Sequence, residues 1–127
     1  MNDNEYSQVK EYEKIDSEVL NVLFVCSMNK WRSPTAEKVY RNHPLLNVRS
    51  AGTSSKAQHK ISIVDIRWSD CIVLMEEKHH ERVRSEFREE LAHTEIHVID
   101  VEDNFEFMDP RLVEELQVQI NSVLFGE

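Results

Sequence analysis

The sequence predicts one α/β domain over residues 19–127, a Rossmann-like four-stranded parallel sheet with helices on both faces. Three observations lead there. Short runs rich in Val, Ile and Leu alternate with longer segments whose apolar residues recur three or four apart, as buried strands alternate with crossover helices. A chain of 127 residues is long enough for one core and short for two. No internal repeat, linker or low-complexity tract divides it. Right-handed crossovers then bring the loops after the strands to one sheet edge, where ligands bind in such folds.

The elements follow in order. Residues 1–18 form an acidic leader, with Asp3, Glu5, Glu11, Glu13, Asp16 and Glu18 against Lys10 and Lys14; it is either frayed or a helix docked through Tyr6, Val9, Tyr12 and Ile15. Val19 to Val25 reads as a buried strand. Ser33 is expected to cap the next helix, with Pro34 at its first position and Ala36, Val39, Tyr40 and His43 facing inward. Leu46 to Ala51 makes a second strand ending at Gly52. A short helix over Ile63 to Trp68 leads to a third strand, Cys71 to Met75. Val83, Phe87 and Leu91, four apart, mark a charged helix from about Glu77, and Ile96 to Ile99 makes the fourth strand. Asp109-Pro110 opens the last helix, carried by Leu112, Val113, Leu116, Ile120, Val123 and Leu124.

Composition narrows the partners. A formal net charge of -9 disfavours nucleic acid and anionic membranes, which need a basic footprint. The sequence has no apolar run of membrane-spanning length and no secretory signal pattern. Two cysteines, Cys26 and Cys71, are too few for a disulfide scaffold, and a reactive thiol needs a reducing compartment, so a cytoplasmic protein is expected. The oligomeric state is not set by the sequence.

The chemistry concentrates after the first strand, in Cys26-Ser27-Met28-Asn29-Lys30-Trp31-Arg32-Ser33-Pro34. The spacing of Cys26 and Arg32 is weak evidence by itself. Its context adds a strand end, a tight loop and a helix start, which together direct backbone amides and a positive helix end toward the sulfur. Such a loop suits a tetrahedral oxyanion, with the arginine fork on two of its oxygens. Asp109 reads as an N-cap, as a catalytic acid, or as both; Asp100, Glu102 and Asp103 are rivals for the acid role. Cys71, inside an apolar strand, reads as inert core. His79-His80 and His93/His97 form no metal pattern and read as surface positions; no metal or cofactor is expected.

The stretch Leu23 to Glu37 resembles the phosphate-binding loop of the low-molecular-weight protein tyrosine phosphatases. Ser50-Ala51-Gly52-Thr53, Asp70 to Met75 and Asp109-Pro110 are similar to further markers of that family, in the same order, over roughly residues 20–125. The resemblance implies that family's fold and a phosphomonoester hydrolase acting on a phosphorylated protein or small aryl phosphate. It implies Cys26 as nucleophile and Arg32, with the loop from Ser27 through Met28, Asn29, Lys30 and Trp31 to Ser33, as the phosphate cradle. Ser33 would bond to the sulfur, Asn29 would hold the loop with positive φ, Ser50 would fix Asn29, and Asp109 would serve as general acid and base.

The chain departs from the family pattern at four places. Met28 stands where glycine is usual and Trp31 where a second cysteine is common. Only seven residues, Ser54 to Lys60, precede the short helix. Arg111 and Leu112 follow Asp109-Pro110 where aromatic residues are frequent. Trp31 is either an aromatic wall of the pocket or a packing residue. An arsenate reductase, which in thiol-coupled forms needs further cysteines, and a non-catalytic phosphate-binding module are the alternative functions.

Overall fold

A computed structural model describes residues 19–127; the acidic leader lies outside the described residues. Four parallel strands, β1 (Leu20–Cys26), β2 (Leu46–Gly52), β3 (Cys71–Leu74) and β4 (Glu95–Val98), form one sheet in the order β2-β1-β3-β4. Helices α1 (Arg32–Tyr40), α2 (Ile63–Trp68), α3 (Glu77–Phe87) and α4 (Pro110–Phe125) connect or follow them. The expected fold class is what the chain adopts, with strand limits moved by a residue.

Strand alternation divides the core into two layers. Val22, Phe24 and Cys26 of β1, with Val73 and Met75, pack against Ala36 and Tyr40 of α1 and Leu112, Leu116 and Ile120 of α4. Leu23 and Val25, with Ile72 and Leu74, pack on the other face against Ile66 of α2 and Val83 of α3. A strand buried on both sides is the reason β1 reads as a continuous apolar run. Each such side chain contributes on the order of 2 kcal/mol by leaving water. Tyr40 Oη donates to Asn121 Oδ1 at 2.6 Å and joins α1 to α4; burial pushes its pKa up to about 12. Among the described residues no helix is long and apolar enough to cross a membrane.

Two local expectations change. The helix after β1 begins at Arg32, and Ser33 lies within it and does not cap it, because its hydroxyl finds closer partners in the preceding loop. Leu91 is not on α3, which stops at Phe87; it is buried on a separate 3-10 turn, Glu90–His93.

Candidate active site

β1 and β2 end side by side, with Cys26 opposite Gly52 in the register. From there the chain turns through Ser27–Trp31 into α1. The carbonyls of this loop face outward: those of Cys26, Ser27 and Met28 accept from the amides of Thr53, Ser54 and Gln58, each at 3.0 Å. The shortened 54–60 segment is therefore the outer wall of the loop. With the carbonyls held outside, the amides are left for the interior. Among the described residues, none of the amides from Ser27 to Trp31 donates to the protein. Gly52 makes the close approach possible, because a Cβ there would lie 2.6 Å from Ser27 O and 2.9 Å from Asn29 N.

Side chains lock the turn from within. Asn29 has φ 53° and is buried, and its Nδ2 donates to both Ser33 Oγ and Ser50 Oγ at 2.9 Å. Asparagine tolerates that left-handed conformation better than most residues. Ser50 Oγ in turn donates to Glu37 Oε1. Ser33 Oγ lies 3.0 Å from Cys26 Sγ and 3.2 Å from Ala51 O. Cys26 is buried, its Sγ beside the first turn of α1 through Ser33.

The N-terminus of α3 grips the same loop from the other side. Arg32 Nη1 donates to Glu76 Oε2 at 2.5 Å and to Val101 O at 2.8 Å. The Arg32 side chain is 2% exposed, yet its Nε has no hydrogen-bond partner among the described residues; the nearest anion is Asp103 Oδ1 at 3.6 Å. A buried charged donor without an acceptor is costly, and here Nη1 is occupied while Nε is left without a partner in a residue that lines the cavity. Arg32 and Lys78 hold the Glu76 carboxyl below the usual range against the opposing effect of burial.

His79 corrects the expectation of a surface histidine: it is 1% exposed, and its Nε2 lies 2.8 Å from Ser27 Oγ. Its Nδ1 accepts the Glu76 amide at 3.1 Å, so the ring's proton sits on Nε2 and is donated to Ser27. Burial, then the Arg32 charge, lowers its pKa to about 4, which keeps the ring neutral at physiological pH. The sequence pattern did not single out Glu76, and it placed His79 on the surface. Their signal was position: they open the helix after β3, at the same sheet edge as the cysteine loop. His80 is half-buried, beside Glu77.

Above Cys26 is a cavity of about 220 Å³ lined by Cys26, Met28, Lys30, Trp31, Arg32 and Asp103. Trp31 is thus a wall of the pocket, with Lys30 Nζ 5.0 Å from its ring centroid. Asp109 is not among the lining residues. It caps α4 by accepting from the Arg111 amide at 2.9 Å, and it pairs with the Arg111 guanidinium, Nη2 to Oδ2 at 3.0 Å. The Arg111 hydrogen bonds hold its carboxyl below the ordinary range.

Among the described residues, Cys71, Glu95 and His97 bring three possible ligand atoms within 4.8 Å of one another. They lie on β3 and β4 with Cys71 at the amino end of its strand, at the opposite edge from Cys26. Burial, then the Glu95 charge, pushes the Cys71 thiol up to about 12.

No protein-family profile matches the sequence, and no curated protein does. Solved structures do. The YwlE arginine phosphatase from Geobacillus stearothermophilus is 20% identical, with a TM-score of 0.59 over 84% of this chain and 97% of that one. The tyrosine phosphatase Wzb from Escherichia coli K30, in complex with phosphate, is 18% identical, with a TM-score of 0.62 over 83% and 88%. SP-PTP, a low-molecular-weight protein tyrosine phosphatase from Streptococcus pyogenes, is 19% identical, with a TM-score of 0.60 over 84% and 93%. The chain has the fold of the low-molecular-weight protein tyrosine phosphatases.

Proposed function

We propose that this chain is a cysteine-dependent phosphomonoester hydrolase that works through a phosphocysteine intermediate on a phosphorylated protein side chain or a small aryl phosphate. One observation carries the reading: a cysteine sulfur at the base of a loop whose amides from Ser27 to Trp31 donate to no other described residue, beside a buried arginine whose Nε has no hydrogen-bond partner among the described residues. That arrangement complements a phosphoryl group in flight, whose charge is spread over three equatorial oxygens.

In the first step the Cys26 sulfur attacks phosphorus, the bond to the leaving oxygen breaks, and a carboxylic acid supplies the proton that oxygen needs. Water then attacks phosphorus, its proton returns to the carboxylate, and the sulfur departs with inorganic phosphate released. The Nε–Nη2 edge of Arg32 takes two equatorial oxygens, oriented by Glu76 and Val101 O holding Nη1. Ser33 bonds to the departing sulfur. One of the structural neighbours is a YwlE cysteine-to-serine variant with a phosphorylated active-site serine, which supports phosphoryl transfer to the corresponding residue here.

The disulfide-relay alternative lacks a partner, since Cys71 is buried at the other end of the sheet. Free thiols suit a reducing, cytoplasmic setting. Hydrolysis of p-nitrophenyl phosphate by the purified chain, lost by at least about 10⁴-fold in Cys26→Ser, is the expected result. Undiminished turnover by Cys26→Ser contradicts the proposal.

A further inference from the structure

Four carboxylates lie along the segment from β4 to α4: Asp100, Glu102, Asp103 and Asp109. Asp100 is joined through its backbone to Gln119, and the Glu102 carboxylate takes the Asn104 amide. Asp109 is held by Arg111, whose guanidinium also stands 4.8 Å from the Phe105 ring centroid. Both Asp109 oxygens are engaged, Oδ1 by the Arg111 amide at the helix end and Oδ2 by the Arg111 guanidinium, and the residue lies outside the cavity.

Asp103 differs from the other three: it alone lines the cavity with Cys26, and its Oδ1 is 3.6 Å from the unpaired Arg32 Nε. The backbone around it is anchored at both ends. Two residues before, the Val101 amide donates to Met75 O and the Val101 carbonyl accepts from Arg32. Five residues after, the Met108 amide donates to Thr35 Oγ1, with Met108 at φ 63°. Between these anchors Phe105 packs against the core, and Asp103 is half-exposed at the mouth of the cavity.

We propose that Asp103, and not Asp109, is the catalytic acid and base of this active site; this deepens the phosphatase reading and rests on it. The groups facing Asp103 are Cys26 and Lys30 from the loop and Arg32 from α1, with Glu76 on the far side of Arg32. The phosphoryl group needs the same Arg32 edge. A phosphate monoanion arriving there brings one proton, and the carboxylate beside it is the acceptor. As the Cys26 sulfur bonds to phosphorus and the phosphorus–oxygen bond breaks, the Asp103 carboxyl passes that proton to the leaving oxygen. In the second step the Asp103 carboxylate takes a proton from water, the hydroxyl oxygen bonds to phosphorus, and the sulfur–phosphorus bond breaks. Atoms and charge balance with no further reactant.

The test is kcat/KM, which reports the first chemical step, over a series from p-nitrophenyl phosphate through phenyl phosphate to an alkyl phosphate. Asp103→Asn is expected to lose about 10²–10⁴-fold on the poor leaving groups and far less on p-nitrophenyl phosphate, with Asp103→Glu recovering part of the loss. Asp109→Asn is expected to keep the wild-type dependence on leaving group. The assignment is overturned if Asp109→Asn steepens that dependence and Asp103→Asn does not. It is also overturned if Asp103→Asn slows every substrate equally, as a merely structural role would. A wild type inert on the whole series, or a Cys26→Ser variant as active as wild type, instead removes the phosphatase reading and this assignment with it.

Discussion

The cradle around Cys26 and the arm from Ile99 to Arg111 border one cavity and are built on opposite principles. In the cradle nearly every group is committed: Asn29 bridges two serines, Ser33 meets the sulfur, His79 holds Ser27, and the outer carbonyls are tied to residues 53–58. The arm is pinned at Val101 and Met108, and between them every residue but the half-buried Phe105 is exposed. On the proposed mechanism the difference separates two tasks. A site that stabilises charge on a transferring phosphoryl group gains from donors that do not reorganise. A group that must give a proton and then take one gains from freedom to move.

The larger of two expected effects on stability belongs to the cradle. The His79 ring titrates at 6.5 in an unfolded chain and at about 4 when buried. Between those values the unfolded chain holds a proton that the folded chain lacks, so stability falls as the pH drops from 6.5 toward 4, by about 3 kcal/mol. Urea unfolding at pH 7 and pH 4.5 is expected to show this slope for the wild type and a reduced one for His79→Gln. An equal slope in both sets His79 outside the cradle's energetics.

The smaller effect belongs to the arm. Asp109→Ala removes the α4 cap and is expected to lower the melting temperature by a few degrees at neutral pH. Because Arg111 depresses the folded pKa of Asp109, the contribution is present above the ordinary carboxylate range and fades as the pH falls through the depressed value. Wild type and Asp109→Ala should therefore converge in acid. A gap that widens on acidification contradicts the pairing.

The contrast also explains what could be read from sequence. The cradle lies in one continuous run plus Ser50 and Gly52, so local conformation reveals it: a strand end, an asparagine able to take positive φ, a proline in the first helical turn. Glu76 and His79 escaped because they act 44 and 52 residues away from their partners, and an i, i+3 pair at a helix start looks like surface. Asp109 was legible as a cap because proline follows it. Its pairing with Arg111, and the approach of Asp103 to Arg32 instead, depend on how the arm folds across the cavity, which no periodicity records. The parallel sheet itself was plain, since strands buried on both faces leave unbroken apolar runs.

The central claim is that Cys26 carries the phosphoryl group. Acid quenching of the chain during turnover of p-nitrophenyl phosphate, followed by mass measurement of its peptides, tests it directly. The expected result is the mass of one phosphoryl group on the Cys26 peptide, absent in Cys26→Ala and enriched in Asp103→Asn, where hydrolysis of the intermediate slows. Sustained turnover with the phosphoryl group on another residue, or no covalent intermediate in either the wild type or Asp103→Asn, would contradict it.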